Sequence, residues 1–259
     1  MQGCNLSCIY CHNPETQKEC CLCGICLETC PAKALLITDN KIIYLKDLCQ
    51  FCDKCLQVCP YFSSPKYFRI TAWELSNYIL KYNEFLNGIT FSGGECTLQT
   101  PFIIEVSKQV KNNSPLTIFL DTNGYVHQSG WELICNHVDG LMVDLKAFNS
   151  KTHHYITGVD NSLILENIKY ASRQGLLYEV RTVILKGIND SQEEINNISN
   201  FIKELNNYTL FKLIPFRPYG VKHPLKDTVY PDKNHFEKLF QMAKTVLGEG
   251  VKKPLDISL

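Results

Sequence analysis

The chain has 259 residues, 45% of them hydrophobic and 11% aromatic, which is enough to bury one large core or a core with a small appended module. Basic and acidic residues both number 26, so the formal net charge is zero and no basic excess favours binding to nucleic acid. The sequence has neither an apolar run of membrane-spanning length nor a secretory signal, so we expect a soluble, cytoplasmic protein without a membrane partner.

Three cysteines, Cys4, Cys8 and Cys11, open the chain with the spacing C-x3-C-x2-C. Of the 14 cysteines, 12 lie between Cys4 and Cys59, and in a reducing compartment such dense thiolates usually hold metal rather than form disulfides. Three thiolates without a fourth leave one iron of a four-iron cubane open to an exogenous ligand, by the logic that separates catalytic from structural zinc sites. The spacing therefore predicts a catalytic [4Fe–4S] cluster with an open iron.

Two nearly identical runs, C-x2-C-x2-C-x3-C-P, follow at Cys20 and Cys49. This is the bacterial ferredoxin spacing, in which the fourth cysteine of each run binds the cluster of the other run. The predicted ligand sets are Cys20, Cys23, Cys26 and Cys59 for one [4Fe–4S] cluster, and Cys49, Cys52, Cys55 and Cys30 for a second. A zinc ribbon needs only two cysteine pairs and is the weaker alternative. Between the runs, Leu35–Thr38 and Lys41–Leu45 flank Asp39-Asn40 and predict a hairpin.

Beyond about residue 70, helical and strand patterns alternate regularly. The predicted strands are Ile89–Ser92, Thr117–Leu120, Leu141–Leu145, Tyr178–Leu185 and Leu210–Ile214. The predicted helices are Trp73–Phe85, one that begins at Pro101, Trp131–Asn136, Gln192–Leu205 and Asn234–Val246. This alternation predicts an α/β fold with parallel strands, either a barrel or an open sheet.

A polar motif follows each predicted strand. The motifs are Ser92-Gly93-Gly94-Glu95, Asp121-Thr122-Asn123-Gly124, Asp144-Leu145-Lys146, Lys186-Gly187 and Pro215-Phe216-Arg217. Such residues also form ordinary loops, but loops that leave the carboxyl ends of parallel strands meet on one face of the fold. Five motifs in register therefore indicate a common site.

The first cysteine array, with Tyr10 before its last cysteine, resembles the radical S-adenosylmethionine signature. Together with the later motifs it resembles the glycyl radical enzyme activating enzymes along essentially the whole chain. The segments that carry the resemblance are Gln2–Leu6, Tyr10–Pro14, Phe91–Glu95, Leu120–Gly124 and Met142–Lys146. The eight-cysteine insert indicates the subgroup with a ferredoxin-like domain, and the overall texture is most similar to the YjjW-type activases.

The resemblance implies a fold and its division into domains. Family members have a first barrel strand before the Gln-Gly-Cys segment in which this chain begins, so we expect a partial (β/α)6 barrel that lacks its first strand. Residues 1–16 would form the cluster loop, and residues 17–66 a ferredoxin-like insert that binds two clusters. Residues 67–259 would form the remainder of the barrel.

The resemblance also implies the cofactors and their site, namely three [4Fe–4S] clusters and S-adenosylmethionine, with Cys4, Cys8, Cys11 and Lys146 as catalytic residues. The implied cofactor-binding residues are Tyr10, Cys11, His12, Gly93, Gly94, Glu95, Asp121, Asn123, Asp144, Leu145, Lys146 and Arg217. Arg217 stands where many relatives have a histidine. The implied ligands of a monovalent cation, Na⁺ or K⁺, are Asp121, Thr122, Met142 and Asp144. Met142 is equally typical of a strand core, and Asp121 of a turn cap.

The activity implied is reductive cleavage of S-adenosylmethionine to a 5′-deoxyadenosyl radical, which abstracts a glycine Cα hydrogen from a partner enzyme. We expect a monomer that receives electrons from ferredoxin or flavodoxin. The two additional clusters could relay these electrons or stiffen the docking surface, and spacing leaves both roles open. Two other functions also remain open, a radical enzyme acting on another peptide or small molecule, and a ferredoxin-type electron carrier with an inactive barrel.

Overall fold

The cysteine-rich segment forms a small unit in the computed structural model, which describes residues 1–205, 208–221, 225 and 231–254. Its two short helices are α1 (Ile25–Thr29) and α2 (Lys54–Gln57). Between them lies an antiparallel hairpin of β1 (Leu35–Thr38) and β2 (Lys41–Tyr44). The turn residues 39 and 40 have φ of 50° and 54°, the left-handed conformation of a type I′ turn. The predicted hairpin is confirmed, with its second strand one residue shorter.

The two cysteine runs repeat in backbone conformation as well as in sequence, at an interval of 29 residues from Cys20 to Cys49. Helix α2 begins at the same interval after α1. Left-handed φ angles recur at equivalent positions, with 60° at Leu22 and 54° at Phe51, 81° at Gly24 and 55° at Asp53, and 48° at Lys33 and 53° at Phe62. The backbone therefore has the same conformation around the cysteines of both runs.

Among the described residues, six strands form one sheet in chain order, and every neighbouring pair is parallel. They are β3 (Gly88–Phe91), β4 (Thr117–Thr122), β5 (Gly140–Asp144), β6 (Leu177–Ile184), β7 (Leu210–Pro215) and β8 (Val251–Lys252). The predicted α/β class with parallel strands is confirmed. The sequence does not predict β8, because two residues are too few to establish a strand period.

Helices connect the strands and cover the sheet. They are α3 (Ala72–Leu80), α4 (Thr100–Asn113), α5 (Gln128–Cys135), α6 (Ser150–Thr157), α7 (Ser162–Arg173), α8 (Gln192–Lys203) and α9 (Lys233–Leu247). Helix α3 begins with a capping box between Thr71 and Glu74, and it ends five residues before the predicted helix does. In the part of the chain that is described, no helix is both long and apolar enough to cross a membrane.

The core lies between the sheet and its helices. Apolar side chains of the central strands are fully buried, including Ile118 and Leu120 on β4 and Val143 on β5. Each such side chain contributes about 1.5–3 kcal/mol through burial. On β4 and β5 an apolar run precedes the charged residue, so Asp121 and Asp144 lie at the carboxyl ends of these strands.

The loop that follows β4 is anchored by Asn167 on α7. Its side-chain amide donates to the carbonyl oxygens of Gly124 and Val126, at 2.9 and 2.7 Å, and its own backbone oxygen accepts from Trp131 Nε1 at 2.9 Å. Asn167 and Trp131 are both buried. The loop after β4 is therefore fixed by hydrogen bonds that water cannot replace.

We expect Asn167→Ala to lower the free energy of unfolding by about 2–3 kcal/mol, because it leaves a buried and a partly buried carbonyl group without this donor. The measurement is urea denaturation. Asn200→Ala, at an exposed position of α8, is the matched control and should change the free energy by no more than about 0.5 kcal/mol. Equal effects of the two substitutions would contradict the anchoring role of Asn167.

Candidate active site

The three-cysteine loop, residues 4–11, lies against the carboxyl ends of the strands. At its start, the backbone N–H of Glu95, after β3, donates to the carbonyl oxygen of Gly3 at 2.7 Å. In its middle, Ser7 and Ile9 donate to carbonyl oxygens in the last turn of α6, both at 2.9 Å. Backbone hydrogen bonds to two separate parts of the fold thus fix the path of the loop.

The thiols of Cys4, Cys8 and Cys11 are half-buried. The Cys4 sulfur accepts hydrogen bonds from the backbone N–H of Leu6 at 3.5 Å and from Asn123 Nδ2 at 3.8 Å. Burial raises the pKa of Cys8 to about 12, even though the Lys146 ammonium acts to lower it. A thiolate at this position therefore needs a strong positive partner, which the irons of a cluster would supply.

Lys146 lies beside this loop and is itself buried. Its ammonium is 2.6 Å from Asp144 Oδ2 and 5.5 Å from the centre of the Tyr10 ring. Burial lowers the pKa of Lys146, but the Asp144 carboxylate and other nearby groups raise it well above its usual range. Lys146 therefore carries a permanent positive charge next to the three thiols.

Arg181 joins the carboxylates at the ends of two strands, and the sequence analysis does not identify it. Register pairing places Arg181 of β6 opposite Asp144 of β5. Its Nε donates to Asp144 Oδ1 at 3.1 Å, and its Nη2 forms an ion pair with Asp121 of β4. The available signal was a charged residue inside an otherwise apolar predicted strand, which requires a partner when buried.

The four implied cation ligands lie at the ends of two neighbouring strands, where protein groups already contact three of them. The Arg181 guanidinium lies between the carboxylates of Asp121 and Asp144. The Thr122 hydroxyl donates to Glu95 Oε1 at 2.7 Å, and Met142 pairs with Asp121 in the strand register. A cation here would compete with Arg181 for the two carboxylates, and the monovalent cation stays a prediction. A motif within two strands cannot reveal a positive charge that a third strand supplies.

Glu95, one of the implied cofactor-binding residues, is enclosed by the protein. Its side chain is 1% exposed and its carboxylate accepts five hydrogen bonds from the protein. Oε1 accepts from the backbone N–H and hydroxyl of Thr97 and from the hydroxyl of Thr122, at 3.0, 2.6 and 2.7 Å, and from the Cys96 thiol at 3.8 Å. Oε2 accepts from the backbone N–H of Asn123 at 2.7 Å. Glu95 therefore positions two strand-end loops, and its cofactor-binding role stays a prediction.

Leu145, another implied cofactor-binding residue, has protein contacts on all its groups. Its side chain is fully buried in the core. Its backbone N–H donates to the carbonyl oxygen of Arg181 at 2.9 Å, and its carbonyl oxygen accepts from the Thr182 hydroxyl at 2.8 Å. These contacts fix Leu145 between Asp144 and Lys146, and its cofactor-binding role stays a prediction.

The Gly93-Gly94 segment permits close approach of another backbone segment. Gly93 has φ of 141°, which is unfavourable for any other residue. A Cβ atom on Gly94 would overlap the carbonyl oxygen of Gly3 and lie 2.6 Å from that of Thr16. Only glycine therefore allows the start of the chain to pack on the loop after β3.

Aromatic rings line one side of the three-cysteine loop. His12 stacks on Phe216 at 5.9 Å between ring centres, and Tyr10 meets the same ring edge-on at 6.3 Å. Burial lowers the pKa of His12, while a hydrogen bond with the backbone of Arg217 acts to raise it. The structure thus brings His12 and Tyr10 together with the strand-end segment that contains Arg217.

The eight cysteines of the ferredoxin-type runs line two cavities. The first cluster cavity is lined by Cys20, Cys23, Cys26 and Cys59 together with Cys21, and the second by Cys30, Cys49, Cys52 and Cys55. These are the crossed ligand sets that the spacing predicts. Among the described residues, no three His, Cys, Asp or Glu side chains are close enough to hold a single metal ion, as a zinc ribbon would require.

Backbone N–H groups point at sulfur in both cavities. In the first cavity Leu22 donates to Cys20 at 3.4 Å and Ser63 to Cys59 at 3.3 Å. In the second cavity the N–H groups of Phe51 and Ala34 donate to Cys49 and Cys30, at 3.4 and 3.3 Å. Such bonds are typical of thiolates that hold iron–sulfur clusters, so these residues fit a cubane in each cavity.

Hydrogen bonds join the cysteine-rich unit to the three-cysteine loop. The backbone N–H of Cys4 donates to the carbonyl oxygen of Gln17 at 3.0 Å. The hydroxyl of Ser63, close to Cys59, donates to the carbonyl oxygen of Lys18 at 2.9 Å. The first cluster cavity is therefore linked to the loop by a short chain segment and these bonds.

Comparison with known proteins identifies similar sequences. The family model of the Radical SAM superfamily matches residues 1–198. The trans-4-hydroxy-L-proline dehydratase activating enzyme of Clostridioides difficile is 29% identical, over 100% of this chain and 86% of the relative. The 4-hydroxyphenylacetate decarboxylase activating enzyme of the same organism is 30% identical, over 92% of this chain and 84% of the relative. The pyruvate formate-lyase-activating enzyme of Clostridium pasteurianum is 27% identical, over 95% of this chain and 89% of the relative.

Solved structures show the same fold. A domain of pyruvate-formate lyase-activating enzyme from Bacteroides vulgatus has a TM-score of 0.55 and 23% identity, covering 65% of this chain and 99% of that domain. Streptococcus suis SuiB bound to precursor peptide SuiA has a TM-score of 0.62 and 13% identity, covering 99% of this chain and 47% of SuiB. At these identities the likeness concerns the fold alone.

Glu179, on the same strand as Arg181, gives a pH-dependent prediction. Burial raises its pKa, and the Lys212 ammonium at 3.9 Å opposes that effect. Because the folded protein favours the neutral acid, the wild type loses stability as the pH rises from the unfolded pKa of about 4.3 through the folded pKa. Glu179→Gln removes this loss, so its free energy of unfolding relative to wild type should be larger at pH 8 than at pH 5.

The measurement is urea unfolding at both pH values. Glu166→Gln, at an exposed position of α7, is the matched control and should show little pH-dependent difference from wild type. A Glu179→Gln difference that stays constant with pH would refute the expected effect.

Proposed function

The chain belongs to the radical SAM superfamily and is homologous to activating enzymes of glycyl radical enzymes, and on this premise we propose that it generates a glycyl radical on a partner enzyme. The observation that carries the proposal is the three-cysteine loop, whose half-buried thiols lie at the carboxyl ends of the strands. S-adenosylmethionine is the proposed cofactor. With S-adenosylmethionine bound, a reduced cluster held by these cysteines would supply one electron to the S–C5′ bond of the cofactor. Cleavage of that bond would give methionine and a 5′-deoxyadenosyl radical.

Cys4, Cys8 and Cys11 would hold three irons of the catalytic cluster. The amino acid portion of S-adenosylmethionine would bind the fourth iron, because the loop supplies only three thiolates. Asn123 supports this arrangement through its bond to the Cys4 sulfur and through a 2.8 Å bond to Asn5 Oδ1. These two bonds fix the first thiol relative to the end of β4.

Charges at the strand ends complement the proposed cofactor. Asp121 and Asp144 supply two negative charges, and Arg181 and Lys146 supply two positive charges, all in a partly buried setting. S-adenosylmethionine carries a sulfonium, an ammonium and a carboxylate. We propose that Lys146 and Arg181 bind the carboxylate and that Asp144 binds the ribose. Interactions of this kind are strengthened where water is excluded.

The adenine portion would lie beside the aromatic rings at His12, Tyr10 and Phe216. Arg217 would act as a hydrogen-bond donor there, since a guanidinium has no acceptor. The backbone of Gly93-Gly94 would receive the methionine ammonium. The glycines let the backbone of residues 1, 3 and 16 pack closely on this segment, which fixes its position beside the three-cysteine loop.

The proposed substrate is a backbone glycine Cα–H of a glycyl radical enzyme. It is supported by the names of the relatives, which activate dehydratase, decarboxylase or lyase enzymes. We further propose that residues 17–66 are a ferredoxin-like insert with two [4Fe–4S] clusters in a partial (β/α)6 barrel. Ferredoxin or flavodoxin would supply the electrons. The paired cysteine cavities support this part of the proposal.

Anaerobic reconstitution tests the proposal in two steps. The protein should bind about 12 irons, from three four-iron cubanes, and produce 5′-deoxyadenosine when reduced with dithionite in the presence of S-adenosylmethionine. Cys8→Ser should reduce this product at least about 100-fold, because a ligand of the catalytic cluster is lost. Cys135→Ala, a core thiol on α5, is the control and should retain the activity.

The second step adds the glycyl radical enzyme encoded nearby and records the EPR spectrum. A glycyl signal that depends on S-adenosylmethionine is expected. Full iron content without 5′-deoxyadenosine would instead indicate an electron carrier. Cleavage of S-adenosylmethionine without a glycyl signal would indicate a radical enzyme with another substrate.

A further inference from the structure

The repeat in the cysteine-rich unit allows its two cluster cavities to be compared directly. Both cavities have the four cysteines of a predicted ligand set, the same left-handed backbone positions and two N–H···S hydrogen bonds of nearly equal length, and the first is also lined by Cys21. Hydrogen bonds to sulfur, local charge and solvent exposure set the reduction potential of an iron–sulfur cluster. Since the backbone contributions are matched, any difference in potential must come from side chains.

Side chains around the second cluster cavity break the symmetry. Besides its cysteines, this cavity is lined by Lys66, Lys54, Asp53 and Tyr44. Tyr44 and Cys49 line this cavity together, so the phenol hydroxyl can donate to a thiolate that holds the cluster. The described residues that line the first cluster cavity include no charged side chain besides cysteine, only Gly24, Ile25, Ser63 and Pro65.

Of the charged groups at the second cavity, Lys66 is the best shielded from water. Its side chain is 15% exposed, whereas its ion-pair partner Asp53 is 56% exposed. Lys54 is exposed as well. Water screens the charges of Asp53 and Lys54 more than that of Lys66. The Lys66–Asp53 ion pair therefore gives a net positive electrostatic potential in the cavity.

We infer that Lys66 raises the reduction potential of a cluster bound by Cys30, Cys49, Cys52 and Cys55 above that of a cluster in the first cavity. A buried positive charge stabilises the additional electron of a reduced cluster, and a hydrogen bond from Tyr44 acts in the same direction. When a reduced low-potential electron carrier gives up one electron, the second-cavity cluster accepts it and passes from the 2+ to the 1+ state. The electron therefore resides in the second cavity in preference to the first.

This inference rests on the proposed function, because it requires clusters in both cavities. The experiment is an EPR-monitored redox titration of the reconstituted full chain, without S-adenosylmethionine. Wild-type protein should show two auxiliary clusters with different potentials. Lys66→Met should shift the higher potential to more negative values and leave the lower one unchanged, and Tyr44→Phe should cause a smaller shift in the same direction.

Two variants with opposite or no expected effect serve as controls. Asp53→Asn removes the opposing charge at a left-handed position that asparagine tolerates, so it should shift the higher potential to more positive values. Lys41→Met makes the same change of charge as Lys66→Met at an exposed site on the hairpin, and should shift neither potential.

Full iron content with equal wild-type potentials would overturn the inference and leave the proposed function intact. Equal shifts of the higher reduction potential in Lys66→Met and Lys41→Met would also overturn the inference and leave the proposed function intact. A chain that binds iron for only one auxiliary cluster would contradict the inference and also the two-cluster part of the proposed function.

Discussion

The buried carboxylate of Glu95 is the interaction on which the candidate site depends. An unpaired carboxylate in this position would cost several kcal/mol, and five hydrogen bonds offset that cost. These bonds join the loop after β3 to the loop after β4, and one of them fixes the backbone of Asn123. The side chain of Asn123 in turn contacts the Cys4 sulfur. One buried charge thus sets the position of a thiol relative to two strands.

A second constraint is the burial of opposite charges at the strand ends. Asp121, Arg181, Asp144 and Lys146 alternate in sign across three neighbouring strands, and each contacts the next. Their mutual attraction lets four charges remain partly buried in an otherwise apolar sheet. A charged ligand that enters this row of four side chains replaces some of their ion pairs with ion pairs to the ligand. The row can therefore bind a ligand with charges of both signs without leaving a charge unpaired.

Sequence reasoning was most successful where local spacing determines structure. The cysteine runs specify their crossed partners because the short intervals within each run restrict which thiols can share a cavity. Apolar periodicity predicts five of the six strands in the parallel sheet. Helix α7 was missed although Ile164, Ile168 and Ala171 have helical spacing, whereas α6 is too polar to show such a pattern. Arg181 could not be paired from sequence, since its contacts depend on the register of separate strands.

The central claim is that one iron of the three-thiolate cluster binds the amino acid portion of S-adenosylmethionine. The most direct test is electron–nuclear double resonance of the reduced protein with cofactor labelled at the methionine nitrogen and carboxylate. The account predicts hyperfine coupling between the cluster and both labels. Absence of both couplings in protein with a fully reduced catalytic cluster would show that this iron has another ligand, and would contradict the account.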